Sequence, residues 1–496
     1  MYDVLFIHPP METTSYEASI RRGATSEYPI VPMGLFTMAD CLERAGFSVK
    51  IVNLSLERLL QPPVSVERMI RDLHARIYAI DLHWFVHSYG AIETAKLLKF
   101  MYPDSLVVLG GFTSSFFAEE IMRNYNFIDI VVVGEGEETI VDIASCRDKL
   151  SLRSVKGIMF RDKKKNVLFT GLRDSVPNLS RLVFTRVDLM EKWSIYLRCG
   201  PSSCVPTRKP SFWINVARGC NRMCSYCGGS RVGFESAMRY YNFRLRDPVE
   251  LANDIEVLSN EYGVKIVKFS HDIESYGRKY YERLFNEIRS RGLEVGAYWD
   301  SFGVPREKLV ESASKTFELG VCLGVSLETL DDSVRWRNMR LYTLAQFEKM
   351  LPIYEEKDIL LDIYFLIGLP GDTRDNIRKI VPYSRRLMEK YKNVWVVPPF
   401  PYTIDPNSPM ALNPEKYGIK LLFRRFEDYR RATSSLKWID WVGHETSELS
   451  KKEIAELTLE VYKGIVQLNK SEDFKENLEK RYLFEHEGYL LPPSIS

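Results

Sequence analysis

The chain has no apolar run of the roughly 18–20 residues that a transmembrane helix needs. Its N-terminus lacks the basic region and the small-residue cleavage site of a secretory signal, so we expect a cytoplasmic protein. Charge of one sign is not in excess either. The 68 Lys and Arg against 66 Asp and Glu leave a formal net charge of +2, which does not indicate a nucleic acid or an acidic partner. Cysteine is sparse, with 8 in 496 residues and no paired framework, which is typical of a reducing compartment.

Three of those cysteines nevertheless lie close together. Cys220, Cys224 and Cys227 have the spacing C-x3-C-x2-C. A protein-held [4Fe–4S] cluster normally takes four thiolates, so this triplet is one ligand short and would leave one iron open for a substrate or cofactor. The alternative interpretation is a zinc knuckle that takes a distant fourth ligand.

The first 150 residues alternate apolar strands with amphipathic helices. The predicted strands are Tyr2–His8, Ser48–Asn53, Ile77–Leu82, Leu106–Leu109 and Ile128–Val133, and the predicted helices are Gly34–Ala45, Val64–Arg76, Ala91–Met101 and Ala118–Asn124. This alternation predicts an α/β, doubly wound parallel sheet covered on both faces. Such a domain binds its ligand beyond the carboxyl ends of the strands.

Three further stretches follow. Residues 151–211 predict a hairpin, Val155–Phe160 with Val167–Thr170, and then a linker. Residues 212–400 hold six strand–helix units, fewer than a full eight-stranded barrel needs; their strands are Phe212–Val216, Lys265–Ser270, Glu294–Trp299, Gly320–Ser326, Leu361–Ile367 and Val394–Val397. Residues 401–496 predict a mostly helical C-terminal extension that could cover a substrate. In it, Ser450 and Glu453 form a capping box for a helix to about Leu468.

Polar residues follow several of the predicted barrel strands, at the ends where barrels of parallel strands carry their reactive groups. Ser270 and Asp272 follow the second strand, and Ser326 and Glu328 follow the fourth. The fifth strand ends in the turn Gly-Leu-Pro-Gly-Asp-Thr at residues 368–373. For Ser270 and Asp272, a helix N-cap is the equally simple alternative.

The cysteine spacing, with Tyr226 just before the last cysteine, resembles the signature of the radical S-adenosylmethionine (SAM) superfamily. The turn at residues 368–373 is also similar to that family's Gly-Leu-Pro-Gly-x-Thr turn. The resemblance implies a partial (β/α)6 TIM-like barrel and a [4Fe–4S] cluster whose open iron is chelated by SAM. It also implies SAM contacts from Gly228, Gly229, Ser270, Asp272, Ser326 and Glu328. The spacing around Ser326 and Glu328 departs from the commoner Gly-Ile-Glu-Ser version, which leaves open which of the two points inward.

Residues 1–150 resemble the cobalamin (B12)-binding domains that are often fused to such barrels. The matching residues are Pro32-Met-Gly34-Leu35, Gly110-Gly111 and Gly134-Glu-Gly-Glu137, with His83 lying 27 residues before Gly110. The resemblance implies corrinoid contacts from Gly34, His83, Gly110, Gly111, Gly134 and Glu135, where glycines let the nucleotide tail pass close to the sheet. The alternative is a degenerate domain that binds no corrinoid.

One part of that family's pattern is missing. No Asp-x-His-x-x-Gly follows the first strand, so the resemblance implies base-off cobalamin without the usual histidine below the cobalt. His8, His83 and His87 are interpreted as structural or pocket-lining residues.

The resemblance implies an enzyme that cleaves SAM reductively and methylates an unactivated carbon with the help of cobalamin. The alternatives are radical SAM oxidoreduction, cyclisation or carbon–carbon bond formation without methyl transfer, and, more remotely, a non-catalytic corrinoid or metal carrier. The implied partners are a small-molecule or lipid-like substrate and an external electron donor such as ferredoxin or flavodoxin.

The remaining candidates are secondary. Cys41 and Cys146 are expected to be buried small hydrophobes. Cys199 and Cys204 form an isolated C-x4-C pair, for which an auxiliary cluster is an alternative. Trp438, Trp441 and His444 could line a substrate pocket, although packing onto the barrel is the preferred interpretation.

Overall fold

A computed structural model describes residues 1–11, 27–60, 64–146, 151–199 and 209–477 of the chain. Within these ranges the protein consists of two large sheets, each surrounded by helices, followed by a C-terminal segment that contacts both. None of the helices in this described part is both long enough and apolar enough to span a bilayer.

The first large sheet has seven strands in the order β2-β1-β3-β4-β5-β6-β7. Strands β1 to β5 are parallel, and β6 and β7 add to the β5 edge as an antiparallel hairpin. The five predicted strands and the predicted hairpin are confirmed, and the hairpin extends this sheet. The bounds are β1 Tyr2–His8, β2 Val49–Asn53, β3 Ala75–Asp81, β4 Leu106–Gly110, β5 Ile130–Val132, β6 Ile158–Arg161 and β7 Val167–Phe169.

Helices cover both faces of this sheet, as predicted. Along β1, Val4 and Phe6 pack into the core that includes Leu35, whereas Leu5 and Ile7 pack into a second core on the other face. This alternation follows from the two-residue period of a strand. The helices are α1 Gly34–Arg44, α2 Leu54–Leu60, α3 Val66–Ile70, α4 Ser88–Met101, α5 Phe112–Phe116, α6 Ala118–Asn124, α7 Glu137–Ser145 and α8 Trp193–Cys199.

The predicted helix Val64–Arg76 is wrong in extent. Helix α3 ends at Ile70, and β3 begins at Ala75. Most of β3 is buried because it pairs with β1 on one side and β4 on the other. Burial in the middle of a parallel sheet outweighs the weak helical pattern of the residues before it.

The second large sheet has six parallel strands in the order β15-β14-β13-β12-β11-β8, which confirms the six predicted units and the open barrel. Two very short strands, β9 and β10, pair antiparallel beside it. The bounds are β8 Ser211–Ile214, β9 Ala217–Arg218, β10 Arg244–Leu245, β11 Ile266–Phe269, β12 Gly296–Ser301, β13 Val321–Glu328, β14 Ile359–Phe365 and β15 Val394–Val396.

Amphipathic helices lie between these strands and bury their apolar faces against the sheet. In α10, for example, Leu251, Ile255 and Leu258 are spaced three to four residues apart and are all buried. The helices are α9 Arg231–Met238, α10 Pro248–Tyr262, α11 Arg278–Ser290, α12 Glu307–Ser314, α13 Asp332–Arg337, α14 Leu344–Glu356, α15 Arg374–Arg378 and α16 Ile380–Lys390.

The C-terminal segment contains four helices and a two-stranded antiparallel pair within the described residues. Its longest helix begins with the predicted capping box between Ser450 and Glu453 and ends one residue beyond the predicted Leu468. The bounds are α17 Pro409–Leu412, β16 Ile419–Leu421, α18 Phe426–Thr433, α19 Trp438–Trp441, β17 His444–Thr446 and α20 Lys451–Asn469.

The two sheets are held together by a shared core. Phe36 of α1 packs edge-on against Phe212 of β8, with ring centroids 5.3 Å apart. On the other side, Arg430 of α18 pairs with Glu93 of α4, and Phe426 of α18 contacts Phe117, which lies between α5 and α6. The C-terminal segment therefore fixes the first sheet relative to the barrel.

Candidate functional site

A cavity of about 1260 Å³ lies where the carboxyl ends of the two sheets meet. From the first sheet it is lined by the residues that follow β3, β4 and β5, and from the barrel by the residues that follow β8, β11, β12 and β13. The predicted site residues that line it are Gly34, His83, Gly110, Gly111, Gly134, Glu135, Cys220, Cys224, Cys227, Gly229, Ser270, Ser326 and Glu328. Gly228 and Asp272 are not among the lining residues.

The three cysteines of the triplet face this cavity from one loop that follows β9. The loop is fixed by a hydrogen bond of 3.2 Å from the Tyr241 hydroxyl to the Cys220 carbonyl and by one of 2.7 Å from the Ser225 hydroxyl to Asn338 Oδ1. Burial raises the pKa of all three thiols, that of Cys227 to about 12. Three ionised thiolates without a metal would therefore be disfavoured in this loop, whereas bound iron would compensate their negative charge.

The donor set suits an iron–sulfur cluster. Three thiols from one loop converge on a cavity, which matches a cluster with one iron left open. In the described ranges no group of three or more His, Cys, Asp or Glu side chains is placed to hold a single metal ion, as a zinc knuckle would require. A four-iron cluster separates its thiolate ligands more widely than one zinc ion does.

Gly228 serves the loop rather than the cavity. Its backbone N–H donates to Asp405 at 2.7 Å, and its carbonyl accepts from the Asn407 side chain at 2.7 Å. A Cβ at Gly228 would lie 2.6 Å from Asn407 Oδ1. Gly228 therefore joins the cysteine loop to the C-terminal segment, and its predicted contact with SAM stays a prediction.

In the segment after β11, Ser270 lines the cavity, whereas Asp272 does not and binds backbone groups. Ser270 lines the cavity and accepts from the Val216 N–H at 3.1 Å, and His271 bonds the Gly219 carbonyl at 3.0 Å. Asp272 instead accepts from the backbone N–H groups of Glu274, at 3.0 Å, and Phe302. For Asp272 the structure shows the N-cap that the sequence left open.

Both candidates lie at the end of β13 and line the cavity. The register of the strand shifts between Ser326 and Glu328, and Glu328 has a φ of +64°, so regular strand alternation does not explain why both face the cavity. Glu328 is buried, accepts a hydrogen bond from the Tyr226 hydroxyl and pairs with the Arg340 guanidinium at 3.2 Å. Burial raises the pKa of Glu328, although Arg340 and Tyr226 act in the opposite direction. Sequence reasoning missed Arg340, because nothing in its local pattern marks it.

The glycines of the first sheet leave open space. A Cβ at Gly34 would have no neighbour within 4 Å, and one at Gly110 would meet only Val132, at 3.8 Å. Gly111 is different: its φ of +115° belongs to glycine, and a Cβ there would lie 2.7 Å from the His83 backbone nitrogen. Gly111 thus allows the loop after β3 to pass close to β4.

His83 lies at the cavity wall, between Trp84 and Phe112. Burial lowers the pKa of His83 to about 4, so its imidazole is neutral at pH 7. His8 and His87 do not line the cavity. They are buried behind it, where both bond the Tyr28 carbonyl and His8 also contacts Asp81 at 3.0 Å, as expected for structural histidines.

Two glutamates connect the first sheet to the barrel: Glu135, in the loop before α7, and Glu137, the first residue of α7. Glu135 pairs with Arg244 and accepts from the Val176 N–H at 2.8 Å, so its carboxylate is already engaged by protein groups. Glu137 is buried and accepts hydrogen bonds from Arg218 and, at 2.8 Å, from Thr37. The predicted corrinoid contact of Glu135 is therefore limited to the part of the residue that still lines the cavity.

A polar group in the barrel was not predicted. Tyr298 and Asp300 of β12 line the cavity together with Lys268 of β11 and Tyr364 of β14. The Tyr298 hydroxyl bonds Asp300 Oδ1 at 2.8 Å and the Tyr364 hydroxyl at 3.1 Å. The alternation of side chains along β11 and β12 could have indicated these inward positions, but not their mutual contacts.

The secondary candidates lie outside the cavity. Cys41 and Cys146 are half-buried rather than buried, and Cys204 and the side chain of Cys199 lie outside the described residues. Trp438 packs against Tyr462, and His444 bonds the Gly368 carbonyl at 2.8 Å. Trp441 donates its indole N–H to the Ser435 carbonyl at 2.9 Å. The contact of His444 therefore attaches the segment to the barrel, as the preferred interpretation has it, whereas those of Trp438 and Trp441 lie within the C-terminal segment.

Two protein families match the chain. The B12 binding domain family matches residues 22–144, and the radical SAM superfamily matches residues 214–382. The first covers the parallel strands of the first sheet from α1 onward, and the second covers the barrel from the cysteine loop to α16.

Two curated proteins are similar over most of the chain. An anaerobic magnesium-protoporphyrin IX monomethyl ester cyclase of Cereibacter sphaeroides is 24% identical over 412 residues, which cover 81% of this chain and 62% of the cyclase. The chain therefore spans less than two thirds of the cyclase's length. An uncharacterized methyltransferase of Pyrococcus horikoshii is 23% identical over 425 residues, which cover 84% of this chain and 86% of that protein.

A solved structure has the same arrangement of domains. The radical SAM methyltransferase TsrM from Kitasatospora setae, with cobalamin and a [4Fe-4S] cluster bound, superposes with a TM-score of 0.61 at 14% identity, covering 94% of this chain and 89% of TsrM. At this identity the similarity shows the fold alone.

Proposed function

This chain belongs to the radical SAM superfamily and carries an N-terminal B12-binding domain, and from this we propose that it is a cobalamin-dependent enzyme that methylates an unactivated carbon. The observation that carries the proposal is that one and the same cavity between the sheets is lined by the cysteine triplet and by Gly34 and Gly110. These two glycines have free space where a side chain would be. Both cofactors would therefore reach the same substrate.

When bound, a [4Fe–4S] cluster would supply the electron for reductive cleavage of SAM, and cobalamin would supply a methyl group. Cys220, Cys224 and Cys227 would hold three irons of the cluster and leave the fourth open to SAM. Gly229 and Ser326 line the cavity with little or no side chain and would leave room for SAM. Glu328 lines the same cavity and would place a carboxylate near the cationic SAM. Gly34 and Gly110 leave room for the corrinoid, and the protein otherwise positions the reactants and keeps water out.

The lining of the cavity suggests the class of substrate. Much of its wall is aromatic, with Trp84, Phe112, Phe234, Phe302 and Phe400 among the lining residues. The group formed by Lys268, Tyr298 and Asp300 supplies a few convergent polar contacts. A small or lipid-like molecule with a large apolar body and one polar group fits such a lining. The C-terminal residues Pro398–Asp405 would cover it.

The test uses the full chain, purified without oxygen and reconstituted with iron, sulfide and hydroxocobalamin. With SAM and dithionite we expect 5′-deoxyadenosine together with S-adenosylhomocysteine, the product left when SAM donates its methyl group. Changing Cys220, Cys224 and Cys227 together to alanine should abolish both products. The matched control is Cys41→Ala, at a half-buried cysteine outside the cavity, which should retain both. Turnover in the triple variant would refute the proposal.

The second candidate function is radical SAM oxidoreduction, cyclisation or carbon–carbon bond formation without methyl transfer. It is favoured by the similarity to the cyclase over 81% of this chain. The two functions differ in one product. If bound cobalamin is confirmed by extraction and 5′-deoxyadenosine forms without S-adenosylhomocysteine, the second candidate replaces the first. A carrier without catalytic activity would form neither product.

A further inference from the structure

An exposed apolar patch lies on the outer side of the cysteine loop. We define it by Met223, Trp336, Met339 and Leu341, which are 40%, 54%, 43% and 71% exposed. None of the four lines the cavity, although the neighbouring Cys224 and Arg340 do. The patch therefore faces solvent from the same two segments that face the cofactor cavity on their other side.

The two segments of the patch are in direct contact. The Ser225 hydroxyl, two residues after Met223, bonds the Asn338 side chain at 2.7 Å, one residue before Met339. Asn338 is fully buried, and its contacts therefore fix the backbone that carries the neighbouring exposed residues Arg337 and Met339. The contact between the cysteine loop and the end of α13 thus places the patch beside Cys224, the residue that follows Met223.

Positive charge accompanies the apolar side chains. Residues 220–231 and 333–341 contain five arginines and neither Asp nor Glu, in a chain whose net charge is only +2. Of these, Arg335 and Arg340 are buried and paired with carboxylates. Arg222 and Arg337 are exposed and form no ion pair with any carboxylate in the described part of the chain. The surface beside the cysteine loop is therefore basic as well as apolar.

The backbone of the patch is unusual. Met339 adopts a left-handed conformation with φ of +64°, directly after the C-cap residue of α13. Glycine or asparagine is the residue that ordinarily takes this position, because a side chain there is strained. A bulky, exposed methionine at that position is not explained by packing in the described structure.

We infer that this patch is the docking surface for a small acidic ferredoxin, which supplies the electron that the proposed function requires. The inference rests on that function. Aromatic residues, methionine and arginine are the residue types that protein interfaces prefer, and opposite charge speeds the encounter. Ferredoxins carry iron–sulfur clusters that reach low reduction potentials, and they transfer one electron at a time. One electron passes from the reduced ferredoxin, which is oxidised, to the cluster held by the three cysteines, which is reduced; no bond forms or breaks.

The test compares two reductants on the reconstituted full chain. SAM cleavage is followed as 5′-deoxyadenosine, once with dithionite and once with a reduced bacterial [4Fe–4S] ferredoxin over a range of concentrations and salt. The variant is Trp336→Ser with Arg337→Gln. We expect its half-saturating ferredoxin concentration to rise about tenfold or more and its salt dependence to weaken, since tryptophan and arginine dominate interface energetics. Cleavage with dithionite should stay within about twofold, because reduction then bypasses the surface.

The matched control is Phe100→Ser with Arg68→Gln, which removes an 85% exposed aromatic residue and an exposed arginine from the first sheet's helices. It should leave both reactions unchanged. An unaltered ferredoxin response in the patch variant overturns the docking surface, and so does an equal loss with both reductants. A parent enzyme that accepts electrons from a flavodoxin but not from ferredoxin overturns the occupant. No cleavage by the parent with dithionite overturns the proposed function itself.

Discussion

Arg218, two residues before Cys220, donates a hydrogen bond to the carboxylate of Glu137, the first residue of α7. Arg218 lies in the short strand β9 beside the barrel sheet, whereas Glu137 begins a helix that packs against the first sheet. Both side chains are largely buried, with 15% and 3% exposure. The contact joins the loop that borders the B12-binding side of the cavity to the strand that leads into the cysteine loop. We regard it as the link that sets the distance between the two halves of the site.

Replacing Glu137 by Gln should destabilise the fold. Burial acts to raise the pKa of Glu137, but the Arg218 guanidinium and the hydrogen bonds from Arg218 and Thr37 more than offset it, so the pKa lies below its ordinary value. Removing Glu137 takes away one of the two largely buried carboxylates beside Arg218, which keeps Glu135 at 3.4 Å, so we expect a cost of about 1–3 kcal/mol. We expect a lower urea midpoint for the apo chain at pH 7 under reducing conditions.

The pH dependence has a definite sign. Since the folded pKa of Glu137 is lowered, its stabilisation is complete above the ordinary glutamate pKa and is lost as the pH falls through the lowered value. The difference between the parent and Glu137→Gln should therefore shrink on acidification. Glu138→Gln is the control, because the adjacent Glu138 is 66% exposed and pairs with Arg173 at the surface. It should cost less than about 1 kcal/mol; an equal loss from both changes would contradict a buried link.

Much of this site could be predicted because its residues follow strands. Near-continuous apolar runs define β1, β3 and β4, and parallel strands place their carboxyl ends at one edge. Gly110 could therefore be placed at the ligand-binding edge of the first sheet, and Ser270 at that of the barrel, before any contact was known. The cysteine spacing added the chemistry.

The contacts that hold the site could not be predicted, because their partners are distant in the sequence. Glu135 meets Arg244 across 109 residues, and Gly228 meets Asp405 across 177. No local pattern encodes which arginine a buried glutamate will find. For the same reason the sequence predicts a SAM contact for Gly228 but not its contact with the Asn407 side chain of the C-terminal segment.

Glu328→Gln should weaken SAM binding. Because it also removes the buried partner of Arg340, it should lower stability, so binding is measured on folded protein whose reconstituted iron content matches the parent. The carboxylate is buried beside Arg340 and Tyr226, close to Cys224, and SAM is a cation. Hydrogen bonds to charged groups contribute about 1.5–3 kcal/mol, so we expect the dissociation constant for SAM to rise about tenfold or more in equilibrium dialysis. Glu318→Gln, at an exposed glutamate before β13, is the control and should bind SAM normally. Unchanged SAM binding in Glu328→Gln would remove Glu328 from the SAM site.

His83 should line the corrinoid site without binding cobalt. Its imidazole is neutral at pH 7, as a ligand must be, but its ring is packed edge-on against Trp84 and Phe112, and the chain lacks the histidine motif of base-off domains. In the Co(II) form we expect an EPR spectrum without the three-line splitting that one coordinated nitrogen produces. His83→Ala should leave the spectrum unchanged and weaken cobalamin binding several-fold. His74→Ala, at an exposed histidine, is the control. A three-line pattern that disappears in His83→Ala would show instead that His83 is the ligand.

The adjacent glycines Gly110 and Gly111 should respond differently to alanine. At Gly110 the new methyl group meets only Val132, at 3.8 Å, so Gly110→Ala should fold with a stability within about 1 kcal/mol of the parent. Because Gly110 lines the cavity, the methyl group should instead obstruct the corrinoid and lower the amount of cobalamin retained on a desalting column. At Gly111 the φ of +115° and the His83 backbone at 2.7 Å oppose any side chain. Gly111→Ala should cost about 1–3 kcal/mol in backbone strain alone, measured by urea unfolding of the apo chain. If Gly110→Ala retained cobalamin as the parent does, the corrinoid would not pass over this end of β4.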